Sequence, residues 1–226
     1  MKQKVSTKEN QYNLLYDVIE KHGITKFGMM ANQSWNEDPR RTLFTLSRYK
    51  FVSKMLAGCS SALEIGCADA FGTRLVQQTV KEITALDFDP VFIEDIKDRY
   101  NKYWPMNYFV HDLLTGPVEG QYEAVYCLDV LEHINPNEED LFITNSVSSL
   151  TSQGIFIAGM PSLESQSYAS RQSKEGHVNC KSGEDFRKTM KKYFHNVFLF
   201  SMNDEVVHTG FTPMSQYIIC ICIFKK

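Results

Sequence analysis

The chain has 226 residues, 43% of them hydrophobic, which suits one α/β domain with a full core, and its 24 Lys and Arg against 27 Asp and Glu leave a net charge of −3. With no global positive field, composition gives no basis for gathering nucleic acid or anionic lipid. No apolar run reaches the roughly 18 residues that a membrane span needs.

The opening residues Met1-Lys2-Gln3-Lys4-Val5-Ser6 lack the apolar core of a signal peptide, so the expectation is a soluble, cytoplasmic protein. Gln11 to Lys21 carries Leu14, Leu15, Val18 and Ile19 at helical spacing, and His22-Gly23 ends the pattern. Ile24 to Pro39 reads as an irregular lid, whose Phe27, Met29, Met30 and Trp35 either pack on the core or close over a ligand. Arg40 to Leu56 is a second helix. Its Arg48 stands just ahead of the next strand, where it is either solvated or able to hold a ligand carboxylate in a bidentate pair.

Ala62-Leu63-Glu64-Ile65-Gly66 is a buried strand that breaks into the small-residue turn Cys67-Ala68-Asp69-Ala70-Phe71-Gly72 before a helix over 73–80. Such a turn either lets a helix pack closely on a sheet or lets a ligand approach the backbone. Three further strands end in acids: Glu82 to Asp87, Asn107 to Asp112, and Tyr122 to Asp129. Asp87 lies 21 residues beyond Gly66, the offset at which nucleoside-binding folds place a carboxylate against a ribose diol. A single strand-end Asp commonly caps the next helix. Three on one rim, with the turn at Gly66, point to a ligand site at the carboxyl edge of a parallel sheet.

A helix over 137–150 and a fifth strand, Gly154 to Pro161, lead into the long polar stretch Ser162 to Gly183. Its length marks it as functional or mobile. A helix from Gly183 to Tyr193 and strands over 197–200 and 217–224, flanking a loop at 201–213, close the chain. The six cysteines, Cys59, Cys67, Cys127, Cys180, Cys220 and Cys222, include no Cys-x-x-Cys pair and read as reduced thiols. No Cys/His spacing suggests zinc, and no metal site is expected.

Leu63-Glu64-Ile65-Gly66-Cys67 and Leu128-Asp129-Val130-Leu131-Glu132-His133-Ile134 together resemble the first and fourth motifs of the class I S-adenosylmethionine-dependent methyltransferases, small-molecule type, over about 63–161. The resemblance implies a Rossmann-like, doubly wound, mostly parallel seven-stranded sheet with an antiparallel last strand. It implies a single domain over 1–226, with 1–57 as a helical lid extension and 58–226 as the cofactor-binding core. The implied cofactor is S-adenosyl-L-methionine, with S-adenosyl-L-homocysteine as product. Glu64, Gly66, Cys67 and Asp69 correspond to the turn at the amino acid end of the cofactor, and Asp87 to the acid on the ribose. Phe88 and Asp112 correspond to the adenine site, Leu113, Leu128 and Asp129 complete the rim, and Arg48 joins it as the carboxylate partner weighed above. The family's second and third glycines are Ala68 and Ala70 here, and alanine resists positive φ.

A nicotinamide dehydrogenase would share the offset to Asp87, but it expects a glycine where this chain has Phe71, and Glu64 would repel pyrophosphate. The expected function is therefore methyl transfer to a polar small molecule, with a sugar-like hydroxyl as one acceptor. His177 and His133 are the candidate general bases, because imidazole titrates near neutrality. Asn203, Asp204, Glu205 and His208 form a polar cluster that either meets the acceptor or is a solvated turn. Neither a nucleic-acid nor a membrane partner is expected. Two alternatives remain: a non-catalytic S-adenosylmethionine-binding module, and a protein or nucleic-acid methyltransferase.

Overall fold

The computed structural model describes residues 7–226, so the segment read for a signal peptide, Met1–Ser6, lies outside the described residues. A 3-10 turn at Asn10–Asn13 leads into α1 (Leu14–His22), α2 (Met29–Glu37) and α3 (Pro39–Met55). Strand β1 (Ser61–Ile65) turns into the short α4 (Thr73–Val76), β2 (Glu82–Asp87) into α5 (Pro90–Asp98), and β3 (Asn107–Val110) is followed by β4 (Tyr122–Leu128). A 3-10 turn at Leu131–His133 and α6 (Glu139–Ser148) precede β5 (Leu150–Pro161) and α7 (Arg171–Gly176). The chain closes with α8 (Gly183–Lys191), β6 (Phe194–Asn203), β7 (Val206–His208) and β8 (Tyr217–Lys225).

Helix starts follow local chemistry. Asp38 caps α3 by accepting from Arg40 N at 3.2 Å, with Pro39 in the first turn, and Asp89 caps α5 by accepting from Val91 N at 3.0 Å ahead of Pro90. Ser182 caps α8, whose first turn carries Glu184 and Asp185 and whose last carries Lys188 and Lys191, as the helix dipole favours.

The strands form one sheet in the order β3-β2-β1-β4-β5-β8-β6-β7. Strands β3 to β5 and β1, β2 pair in parallel, while β8 runs antiparallel to both its neighbours. The sheet thus has eight strands, one more than the sequence suggests. The extra strand, β7, comes from the stretch expected as a loop: Asp204, at φ 51°, turns the chain so that Val206–His208 pairs back on β6. Alternation along β1 divides the core, with Leu63 and Ile65 packing toward Phe142, Phe156 and Phe186 and Ala62 toward Val52, Val76 and Tyr126.

The N-terminal region holds two features that the sequence did not show. The stretch read as an irregular lid contains the nine-residue helix α2. The apolar residues of α1 do not reach the core, because the helix has no buried residue and meets the body through His22 edge-on to Tyr103 at 4.4 Å.

Strand order reverses between β1 and β4, which makes the carboxyl edge there the natural ligand crevice. The turn after β1 occupies that point. Gly66 N and Cys67 N both donate to Leu86 O, at 2.8 and 2.9 Å, and Ala68 N donates to Asp87 Oδ2 at 2.9 Å. Gly66 has φ 73°, and a Cβ there would stand 2.3 Å from Val130 Cγ2. Ala68 and Ala70 also have positive φ, 45° and 51°. Left-handed backbone costs a residue with a Cβ about 1–2 kcal/mol, so the turn keeps its shape against local preference. Ala70 recovers part of this by packing beside Cys67, Ala85, Ile93 and Ile96. The methyl of Ala68 is not part of that cluster. Ala68→Gly is accordingly expected to stabilise the fold by about 0.5–1 kcal/mol, read as a rise in thermal midpoint of a few degrees. Gly66→Ala should lower it.

Candidate active site

Glu64 sits one residue before the end of β1 and is buried, with its two oxygens surrounded by hydroxyls. Tyr49 Oη donates to Oε1 at 2.7 Å, and Thr73 Oγ1 and Tyr126 Oη donate to Oε2 at 2.6 and 2.8 Å. The sequence suggests a carboxylate facing the cofactor's ammonium. The structure directs it inward, joining α3, β4 and the start of α4 beneath the turn. Burial pushes its pKa up to about 7, against the three donors that favour its charge.

Asp87 ends β2 with Oδ2 on Ala68 N and Oδ1 on Asp89 N, at 2.9 and 3.0 Å. Burial raises its pKa, with those backbone donors opposing the shift. A carboxylate has about four lone-pair sites, so both oxygens keep capacity toward the rim. Beside it Phe88 is 71% exposed, an aromatic face with no cover. Asp112 is exposed and caps its own turn at Leu114 N, 2.9 Å. Cys67, Leu113 and Leu128 are buried core residues, so their side chains form the wall behind the rim. Asp69 holds α2: its Oδ2 accepts from Ala31 N of α2 at 2.7 Å, and its Oδ1 from Phe71 N at 3.1 Å.

The carboxylate that meets Arg48 belongs to the protein. Arg48 Nη1 donates to both oxygens of Asp129, at 2.8 and 2.7 Å, and the guanidinium lies 3.8 Å from the centroid of the Tyr217 ring. Its Nε is buried and has no partner among the described residues. The residue pairs across 81 positions of sequence, a contact that no local pattern encodes.

Beyond Asp129 the 3-10 turn brings forward His133, and the loop after β5 brings His177 to meet it. The imidazole centroids lie 5.1 Å apart, edge to face. His133 Nδ1 bonds Gly176 O at 2.9 Å and His177 Nδ1 bonds Gln166 Oε1 at 2.8 Å. Both partners accept, since Gln166 Nε2 is turned to Ser162 O, so each ring donates from Nδ1 and has Nε2 as its second nitrogen. Burial, then the neighbouring His133, lowers the pKa of His177, with Asp129 opposing. Glu132, fully buried beneath them, has no hydrogen-bond partner for either carboxylate oxygen, and burial followed by Asp129 raises its pKa well above the ordinary range. Glu132, His133 and His177 each offer a ligand atom within 4.8 Å of the others. His133 and His177 stand 44 positions apart in sequence, so no local spacing links them, and the fold of the 162–183 loop joins them.

The structure does not gather everything that was singled out. Asn203 and His208 bond each other at 2.9 Å within the β6–β7 hairpin, whose turn contains Asp204 and Glu205, so this cluster is a structured turn. A shallow cleft of about 550 Å³ lies between Thr84, Met106, Asn107, Tyr108, Phe109 and Tyr122. It sits toward the amino ends of the strands and is lined by no carboxylate or imidazole, so the chemistry lies at the opposite edge. No described helix is long and apolar enough to cross a membrane.

This geometry agrees with the comparisons. Residues 62–154 match the family model for a methyltransferase domain. The solved N-methyltransferase NodS from Bradyrhizobium japonicum WM9, in complex with S-adenosyl-l-homocysteine, aligns over 84% of this chain and 90% of its own at TM-score 0.63 and 17% identity. The methyltransferase domain of bacterial CtHen1 covers 81% of this chain and 100% of its own at TM-score 0.67 and 15% identity. A ubiquinone biosynthesis O-methyltransferase of Xanthomonas axonopodis pv. citri (strain 306) is 25% identical over 118 residues, which is 49% of each chain. The chain therefore spans about half the length of that curated relative.

Residues 62–154 thus match the methyltransferase-domain family, and the chain has the fold of solved methyltransferases. S-adenosylmethionine is the cofactor of that family, and the rim fits it. Asp87 has lone pairs free for a diol, the exposed Phe88 ring flanks it, and the unpaired Nε of Arg48 is a donor that a bound carboxylate would satisfy.

The Glu64 network gives a pH signature. Its folded pKa of about 7 stands above the ordinary 4.5, so the folded state holds the proton more tightly. Stability from this group is complete below pH 4.5 and is lost as pH rises to about 7. The total is on the order of 3 kcal/mol. Urea unfolding of the wild type from pH 5 to about 8 should show this decline beyond that of Glu64→Gln, in which the titrating group is gone.

Proposed function

We propose that this chain is an S-adenosylmethionine-dependent O-methyltransferase whose acceptor is a hydroxyl on a polar small molecule. The observation that carries the reading is the pair of imidazoles, His133 and His177, standing edge to face with each Nδ1 on a fixed acceptor, beside the strand ends that carry Asp129 and the turn at Gly66. When bound, the cofactor supplies a methyl group on a cationic sulfur. The residues then have to hold the acceptor in line, exclude water and receive the hydroxyl proton.

His177 suits the last task, with an imidazole held neutral by burial and oriented by Gln166. Arg48 and Asp129 neutralise each other across the rim, and Tyr217 backs the guanidinium, so this wall is polar and fixed. The loop that bears His177 also exposes Leu163, Tyr168 and Val178. An acceptor with an apolar portion beside its hydroxyl fits that surface as well as a sugar-like one. The name of the Xanthomonas relative, an O-methyltransferase, agrees with an oxygen acceptor.

A labelled-methyl screen over sugar nucleotides, polyols and phenols tests the acceptor, and calorimetry with S-adenosylmethionine tests the cofactor. No heat of binding at millimolar cofactor would overturn the reading. Asp87→Asn keeps an acceptor for Ala68 N yet removes the charge, so cofactor affinity should fall about tenfold or more. His177→Ala should reduce turnover by about 10²–10⁴ while cofactor affinity stays near that of the wild type.

A further inference from the structure

Glu132 is the one group at the rim whose condition the methyl-transfer reading leaves unexplained. Its side chain is fully buried, and neither carboxylate oxygen has a hydrogen-bond partner among the described residues. A buried, unpartnered carboxyl costs several kcal/mol. Such a group calls for a physical reason, a bound ion among them. The turn that carries it is tightly placed, with Val130 against Gly66 and the Glu132 carbonyl accepting from both Val178 N and Asn179 N, at 2.8 and 3.0 Å. Those two bonds also fix the loop that delivers His177.

We infer that Glu132, His133 and His177 bind a divalent transition-metal ion, through one carboxylate oxygen and the two imidazole Nε2 atoms. Three observations converge on it. One ligand atom of each residue, a carboxylate oxygen or a ring nitrogen, already lies within 4.8 Å of the others. Around an ion with ligands at about 2.1 Å they would stand about 3.4 Å apart, a closure of an ångström or so that the exposed His133 ring can supply. Each imidazole donates its other nitrogen to a fixed acceptor, Gly176 O or Gln166 Oε1, the arrangement that orients metal-bound histidines. Two nitrogens and one oxygen on three positions leave further coordination sites open, as in catalytic rather than structural centres.

Charge supports the assignment. Arg48 already pairs with Asp129, and an ion would displace the proton that burial favours on Glu132, so that carboxylate would bring one negative charge to the triad. A divalent ion there would leave one net positive charge facing the rim, which would hold an acceptor oxygen and favour its deprotonated form; with His177 Nε2 on the ion, this takes the place of proton transfer to His177. The cysteines are not part of this group, and neither is Asp112.

This inference rests on the methyltransferase reading for its purpose but not for its test. The full chain, dialysed against chelator, is titrated with Co²⁺ and followed by visible absorption. Expected are d–d bands that saturate at one ion per chain, without the near-ultraviolet band of thiolate ligation. Zn²⁺ should displace the Co²⁺, and either ion should raise the thermal midpoint of the wild type. His133→Ala, at an exposed position, and Glu132→Gln, which keeps the shape of a side chain without bonds to lose, should each weaken Co²⁺ binding at least about tenfold. Gln166→Ala removes only the acceptor behind His177 and should weaken it by about tenfold.

No saturable band in the wild type, or equal binding in the wild type and in folded His133→Ala and Glu132→Gln, overturns the metal site. Cofactor affinity is measured on the same samples. Cofactor binding without Co²⁺ binding sinks the metal site alone, and Co²⁺ binding without cofactor binding sinks the methyltransferase reading alone.

Discussion

The carboxylate of Glu64 is where three parts of this molecule meet. Tyr49 comes from α3, Tyr126 from β4 and Thr73 from the start of α4, and all three hydroxyls end on its two oxygens. Water is excluded, so each of these hydrogen bonds is strong, and losing one would leave a buried group without a partner. The consequence for function is geometric. The turn from Gly66 to Gly72 stands directly above this junction and is forced through two alanines at positive φ, so a firm base beneath it is what keeps a strained turn in one shape.

The same constraint separates the N-terminal helices into two kinds. α3 is part of the body: Tyr49 and Val52 are buried in the core, and Arg48 reaches Asp129 on the far side of the rim. α2 buries no residue and is clipped on from outside, through Ala31 N to Asp69 at 2.7 Å and Met29 N to Asp95 at 3.3 Å. Gly28 allows this approach, since a Cβ there would fall 2.3 Å from Asp69 Cβ. Bonds of this kind contribute about 0.5–1.5 kcal/mol each. α2 adds to them its packing along α3 and the Trp35 ring on Phe27, 5.6 Å between centroids, so its attachment is peripheral while α3 is part of the core.

How much of this was legible in the sequence depended on how local each feature is. The parallel strands, the acids at their ends and the turn at Gly66 lie within short windows, and periodicity finds them. Asp87, Phe88 and the Leu131-Glu132-His133 string could be read as a rim because successive strands of a parallel sheet must end on one edge. The inward turn of Glu64 could not, since its three partners come from positions 49, 73 and 126. β7 was read as loop because three residues carry too little pattern, and α2 as irregular because its sequence, Met29 to Glu37, has no apolar stripe. Arg48 was seen as a carboxylate binder, and the identity of its carboxylate emerged only from the fold.

The histidines illustrate a further limit. His133 stands in a motif, whereas His177 stands in a polar loop with nothing in its neighbours to set it apart. What turns it into a site is tertiary: Val178 N and Asn179 N bond the Glu132 carbonyl, and this draws the loop onto the 3-10 turn until the two rings stand edge to face. Glu132 therefore acts twice, its backbone placing the histidine and its side chain waiting beneath it. A residue whose main chain builds the pocket and whose carboxyl has no partner within it links the architecture to the chemistry. Moving the loop by an ångström would undo both at once, so the fold has to be settled at this loop before the rim can work.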